Sequence, residues 1–218
     1  MPADPLAVLR WPEFGPPDVC THGFIARLPG VDVVADRETA MRRLLPFHQQ
    51  LLRDAGVNPD SLATAEQVHG AAVAVVERPG QTSGVDALVT NCVKLPLGIY
   101  VADCAAVYFL DPVRRAIGLA HSGKKGTEGR IVVATLETMH DAYGSDTSDI
   151  VALVSPCIRP PHYELDFAAM IRAQLDECNV GKVIDSGICT AANNDRFYSY
   201  RRELGQTGRM LAYLELRG

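Results

Sequence analysis

Two histidines and one cysteine carry the most chemistry in this chain. His69 stands in Glu66-Gln67-Val68-His69-Gly70, Cys104 in Ala102-Asp103-Cys104, and His121 in Ala120-His121-Ser122-Gly123. Each closes an apolar run of strand character, and strand ends converge at the rim of a sheet, so the three side chains have a route to one place. Two nitrogens and one sulfur suit Zn²⁺, and three protein ligands leave a fourth position open, as in catalytic zinc sites. The same trio fits a thiolate nucleophile at Cys104 activated by His121 or His69. Spacing alone leaves a third alternative, that the three residues merely happen to lie near strand ends. Asp103 follows an apolar run and reads either as a buried acceptor that orients a metal ligand or as a plain strand-end carboxylate.

A second motif overlaps the first. Gly118-Leu119-Ala120-His121-Ser122-Gly123-Lys124-Lys125 follows the phosphate-loop pattern until its last position, where Lys125 replaces the hydroxyl that would hold Mg²⁺. That argues against an ordinary nucleoside triphosphatase. Anion binding survives as an expectation: Gly123, Gly126 and Gly129 lead into a helix expected to start near Thr127, whose free amides favour an anion. Lys124 and Lys125 add charge there. Arg201 and Arg202 follow Phe197-Tyr198-Ser199-Tyr200 and suit a phosphate or carboxylate held bidentately. Gln67, beside His69, joins these four as a candidate substrate-binding group. Cys157 and Cys189 read as core thiols, and His22, His48, His140 and His162 as structural or exposed.

These residues need a scaffold. The chain has 218 residues, 47% of them hydrophobic and 22% charged, which is ordinary globular composition. No repeat or linker divides it, so one domain over residues 1–218 is expected. The net charge of −5 excludes a wide basic face for duplex nucleic acid. The longest apolar stretch, Leu95 to Leu110, is split by Asp103, so no membrane span is expected. The N-terminus lacks the pattern of a secretory signal. The six cysteines show no CxxC pair and read as reduced thiols of a cytoplasmic monomer. Apolar spacing predicts helices over Arg37–Ala55 with a kink at Pro46, from about Thr127 to Gly144, and over Phe167–Cys178. Short apolar runs predict strands at Val19–Ala26, Ala63–His69, Ala71–Glu77, Asp86–Thr90, Leu97–Cys104, Ala106–Leu110, Ala116–His121, Ile150–Ser155, Val183–Cys189 and Arg209–Leu216. Strands dominate, which points to a layered α/β domain with mixed sheets.

Taken together, several blocks resemble the laccase-domain family, known also as multicopper polyphenol oxidases or purine nucleoside phosphorylases. They are EQVHG (66–70), VDALVT (85–90), PLGIYVADCAAVYFLD (96–111), AIGLAHSGKKGT (116–127), VSPCI (154–158) and CT…DRFYSYRRELGQTGR (189–209), and the resemblance runs in order from Glu66 to Leu216. It implies an α/β/β/α sandwich related to cysteine-hydrolase-like toxins. It also implies a metal site on His69, Cys104 and His121 that holds zinc rather than the copper of the family's older name. The implied activities are phosphorolysis of adenosine, inosine and methylthioadenosine, and adenosine deamination; some bacterial members are described as peptidoglycan-editing factors. The chain departs from the family's His-Ala-Gly-Trp-Arg-Gly block, having His121-Ser122-Gly123-Lys124-Lys125-Gly126. Lys125 keeps the charge of the family's arginine without its fork. The leading expectation is a zinc-dependent purine nucleoside phosphorylase acting on nucleoside and phosphate. The rivals are a copper-dependent phenol oxidase, a metal-free Cys104–His121 hydrolase and a binding module without catalysis.

Overall fold

The computed structural model describes residues 7–218; the first six, on which the start of the signal-peptide reading falls, lie outside the described residues. In chain order the elements are β1 (Val8–Leu9), β2 (Cys20–Ile25), α1 (Arg37–Asp54), β3 (Ala63–Ala65), β4 (Val73–Val75), β5 (Gly80–Thr82), β6 (Ala87–Thr90), β7 (Leu97–Val101), β8 (Ala105–Asp111), β9 (Ala116–Ser122), α2 (Lys124–Glu128), α3 (Ile131–Tyr143), β10 (Val151–Val154), α4 (Phe167–Glu177), β11 (Lys182–Asp185) and β12 (Met210–Leu216). Two mixed six-stranded sheets face each other, ordered β1-β2-β12-β7-β3-β5 and β11-β10-β8-β9-β6-β4. Helix α1 lies over the first sheet, where the His48 and Tyr100 rings stand 5.8 Å apart. Helices α3 and α4 cover the outer face of the second. This is the expected α/β/β/α sandwich.

Period-two alternation explains why the second sheet reads as continuous apolar sequence. Leu88, Tyr108, Leu110, Ile117 and Leu119 point between the sheets and join Leu97, Ile99 and Leu211. Their neighbours Ala87, Val89, Val107, Phe109 and Ala120 point outward against Ile131, Leu136, Phe167 and Ile171 of the helices. A sheet buried on both faces needs apolar residues at every position. No helix among the described residues is long and apolar enough to cross a membrane.

The structure corrects several boundaries. The helix expected near Thr127 begins at Lys124, ends at Glu128, and resumes as α3 only after Arg130, whose φ of 60° is left-handed. Gly144 ends α3 with φ 68°, as expected. Helix α1 runs unbroken past Pro46. The strand expected over Ala63–His69 stops at Ala65, and that over Ala71–Glu77 contracts to β4. All six cysteines are free thiols.

Candidate metal centre and its cavity

Strand register brings the centre together. Ala106 of β8 lies opposite His121 of β9, so Cys104, two residues before Ala106, reaches the same sheet edge. On the other side Ala87 of β6 pairs with Ala120, which places Asp86 at that edge too. The loop after β3 delivers His69. The donor atoms of His69, Cys104 and His121 all lie within 4.8 Å of one another. The two imidazole rings meet edge to face, with centroids 4.8 Å apart.

Asp86 organises this cluster, and it has no place in the sequence-based expectation. Its side chain is fully buried. Its carboxylate accepts from the His69 amide at 2.9 Å, from the Gly70 amide at 2.7 Å and from His121 Nδ1–H at 2.8 Å. One carboxylate therefore holds one histidine by its backbone and the other by its ring. With Nδ1 engaged, His121 has Nε2 left for a metal or for Cys104, an arrangement common behind metal-bound histidine. The cue in the sequence was a carboxylate inside the apolar run Val85–Val89, since a buried charge requires partners.

Asp103 bonds to none of the three donors. It accepts from the Thr190 hydroxyl at 2.6 Å, the Ser199 hydroxyl at 3.0 Å and the Arg201 amide at 2.8 Å. It ties the β7–β8 turn to the C-terminal segment. Gln67 likewise spends its amide on the Tyr100 backbone, donating to the carbonyl at 2.6 Å and accepting from the amide at 3.0 Å. Gln67, His69 and Asp103 all have positive φ, at 65°, 62° and 79°. Such conformations cost free energy, and here three of them crowd around one cluster.

Space at the centre is tight. A Cβ on Gly123 would lie 2.6 Å from Cys104 Sγ, so only glycine lets the turn after β9 pass the thiol. Burial pushes the Cys104 thiol up, but hydrogen bonds and positive charge from His121 and His69 outweigh it and bring the pKa down to about 7. Burial pushes His121 down, and its bonds to Asp86 and Cys104 overcome this and raise it to about 9. Burial likewise works against ionised Asp86, yet His121 and the two amides hold its carboxyl below the usual range.

The cluster opens into a cavity of about 610 Å³. Of the expected substrate-binding residues, Gln67, Lys124 and Arg201 line it, whereas Lys125 and Arg202 do not. Arg37, Tyr100, Tyr163, Tyr200 and Arg209 line it too, and sequence reasoning gave them no role.

A family model described as the multi-copper polyphenol oxidoreductase laccase matches residues 32–166 and 162–217. The chain belongs to the laccase-domain family. A relative from Deinococcus radiodurans, named purine nucleoside phosphorylase, is 34% identical over 249 aligned positions covering 99% of this chain and 95% of that one. The Streptomyces coelicolor purine nucleoside phosphorylase SCO2081 is 32% identical, covering 89% and 86%. Among solved structures, Neisseria meningitidis protein NMB0706 superposes with a TM-score of 0.80 at 26% identity over 97% of this chain and 98% of that one. YlmD from Geobacillus stearothermophilus does so with a TM-score of 0.79 at 25% identity over 94% of each. This laccase-domain chain thus matches these relatives over most of its length and in its overall fold.

Proposed function

We propose that this chain is a zinc-dependent purine nucleoside phosphorylase that also deaminates adenosine. One observation carries the reading: two imidazole nitrogens and a thiol of lowered pKa converge at the floor of a cavity large enough for a nucleoside. The donor set fits zinc, because it is soft at sulfur, tripodal, and backed by a carboxylate on His121. Zinc held by His69, Cys104 and His121 would supply Lewis acidity there. The names of the relatives support nucleoside and phosphate as substrates.

The chain's own residues bind and position. Tyr100, Ile158, Tyr163, Phe167 and Tyr200 offer apolar walls for a purine and its ribose. Lys124 and Arg201 bring positive charge to the same cavity. In phosphorolysis a phosphate oxygen bonds to C1′ of the ribose as the bond to the purine breaks, so both anion and sugar must be held in line. Asp86 fixes the tautomer and direction of His121 throughout.

The test is an assay of the purified, metal-analysed protein with adenosine, inosine and methylthioadenosine, with and without phosphate. Base release that requires phosphate supports phosphorolysis, and conversion of adenosine to inosine supports deamination. Neither product from zinc-replete protein overturns the reading in favour of a binding module.

A second reading draws on the chain of contacts from Cys104 through His121 to Asp86, which is that of an activated thiol nucleophile. Iodoacetamide labelling with and without a chelator separates the two. A thiolate shielded by metal reacts only after chelation; a free nucleophile reacts equally in both.

A further inference from the structure

The cavity wall is unbalanced in charge. Apart from the two histidines it holds four cationic side chains, Arg37, Lys124, Arg201 and Arg209, against one carboxylate, Asp103. Asp103 already accepts two hydroxyls and an amide. The whole chain carries a net charge of −5, so this local excess is not a reflection of general composition.

The four cations differ in what already occupies them. Arg201 stands over the Tyr163 ring, 3.5 Å from Glu164, with its side chain 61% exposed. Lys124 is an exposed residue at the start of a five-residue helix. Arg209 is half-buried, and among the described residues no carboxylate pairs with it. Its Nη1 donates to the carbonyls of Thr207 at 3.1 Å and Gly208 at 2.9 Å, and its guanidinium lies 5.8 Å from the Tyr200 ring centre. Those bonds fix the plane of the group and use one nitrogen. Nε–H and Nη2 then remain as a side-on fork of the kind that matches two oxygens of one oxyanion. Arg37, at the start of α1, also has no carboxylate partner among the described residues. Burial, followed by the charge of Arg37, lowers the proton affinity of Arg209, and the negative charge of Cys104, Tyr200 and Asp103 offsets this only in part. Two cations facing one cavity repel each other until an anion lies between them.

We propose that Arg209, with Arg37 beside it, seats a tetrahedral oxyanion next to the His69–Cys104–His121 cluster, as free phosphate or as the phosphate of a nucleotide. The anion's role as co-substrate rests on the phosphorylase reading; the seat itself does not. Lys124 and Lys125, which the glycine-rich turn favoured, then serve at most to attract the anion.

Calorimetric titration of the metal-replete protein with inorganic phosphate, and separately with a nucleoside 5′-monophosphate, tests this at ionic strength held constant with chloride. Arg209→Gln is expected to weaken phosphate at least about tenfold, and Arg209→Lys to recover only part of that, because lysine restores charge without the fork. Arg37→Gln, on the exposed first turn of α1, is expected to weaken it about threefold and keeps the test valid if Arg209 variants misfold. Lys124→Ala/Lys125→Ala is expected to weaken it less than Arg209→Gln does. Weakening of inorganic phosphate identifies the free ion as the occupant; weakening confined to the monophosphate identifies a nucleotide. Arg209→Lys and Arg37→Gln both binding as tightly as wild type, loss of binding only in the lysine pair, or no binding to wild type would overturn the seat. Anion binding that depends on Arg209 in a protein without phosphorolysis would leave the seat standing and remove the phosphorylase reading. Phosphorolysis whose phosphate KM is unchanged in Arg209→Gln would do the reverse.

Discussion

Two buried aspartates fasten two parts of the cavity's surroundings, and they do it with different partners. Asp86 binds two amides of the loop that carries His69 and the ring of His121, all within reach of the second sheet. Asp103 binds hydroxyls and an amide contributed from residues 190–201, a run of turns. The wall behind Asp86 is dense, with His121 3% exposed. The wall behind Asp103 ends in Tyr200 at 55% and Leu204 at 90% exposure. The first wall has the rigidity that a metal geometry demands. The second has exposed aromatic and apolar side chains suited to gripping a substrate.

The sharpest way to break this division is Asp86→Ala. It strips His121 and two amides of their acceptor, and breaking such a buried pair costs about 3–5 kcal/mol. Metal affinity should fall about 10- to 100-fold. Denaturant unfolding and elemental analysis read both effects, and full metal retention would remove Asp86 from its role.

Gly123→Ala probes the same wall by volume alone, since Gly123 has an ordinary φ of −94°. Its added methyl meets Cys104 Sγ, and overpacking of this kind costs about 1–3 kcal/mol. The metal content should drop with the stability; a fully loaded, fully stable variant would show that the turn gives way.

Asp103→Asn addresses the other wall. Loss of charge-assisted acceptance should cost about 1–2 kcal/mol and raise the nucleoside KM, with metal content unchanged. Metal loss matching that of Asp86→Ala would erase the distinction between the walls.

The smallest effect is expected outside both, at His48 beneath Tyr100. Burial lowers its pKa from 6.5 to about 4, and both ring nitrogens lack partners among the described residues. The unfolded chain therefore binds the proton first, and stability falls as pH drops from about 6.5 towards 4. His48→Leu should flatten that limb and change stability at pH 7 by about 1 kcal/mol or less. Urea unfolding at a series of pH values checks it, with His22, also lowered to about 4 by burial, accounting for the slope that remains.

The second sheet and the three donors were legible because both announce themselves locally. Unbroken apolar runs mark β8 and β9, and Cys104 and His121 stand at their ends. The loop between β3 and β4 was not legible. Residues 66–70 look like a continuing strand, yet Gln67 and His69 adopt positive φ because long-range bonds to Tyr100 and Asp86 select it. Strands β1 and β5 are two and three residues long, too short for any alternation to show. Asp86 escaped because its ring partner lies 35 positions away. Arg209 escaped because, at the entry to β12, it reads as an ordinary strand flank beside the more conspicuous Arg201-Arg202 pair.

Strand β12 is the last element in chain order, yet it lies inside the first sheet, hydrogen-bonded to β2 on one side and β7 on the other. During synthesis on the ribosome, β2 emerges early and must wait, with one edge bare, until almost all the remaining residues have been made. Pairing across such a separation is slow, and the bare edge is open to other nascent chains in the meantime. The hairpin β8–β9 needs no such delay, so Cys104 and His121 become neighbours while the first sheet is still in two pieces. Arg209 arrives one residue ahead of β12. The growing polypeptide therefore brings Cys104 and His121 together first, and completes its cavity only in the step that joins the two halves of the first sheet.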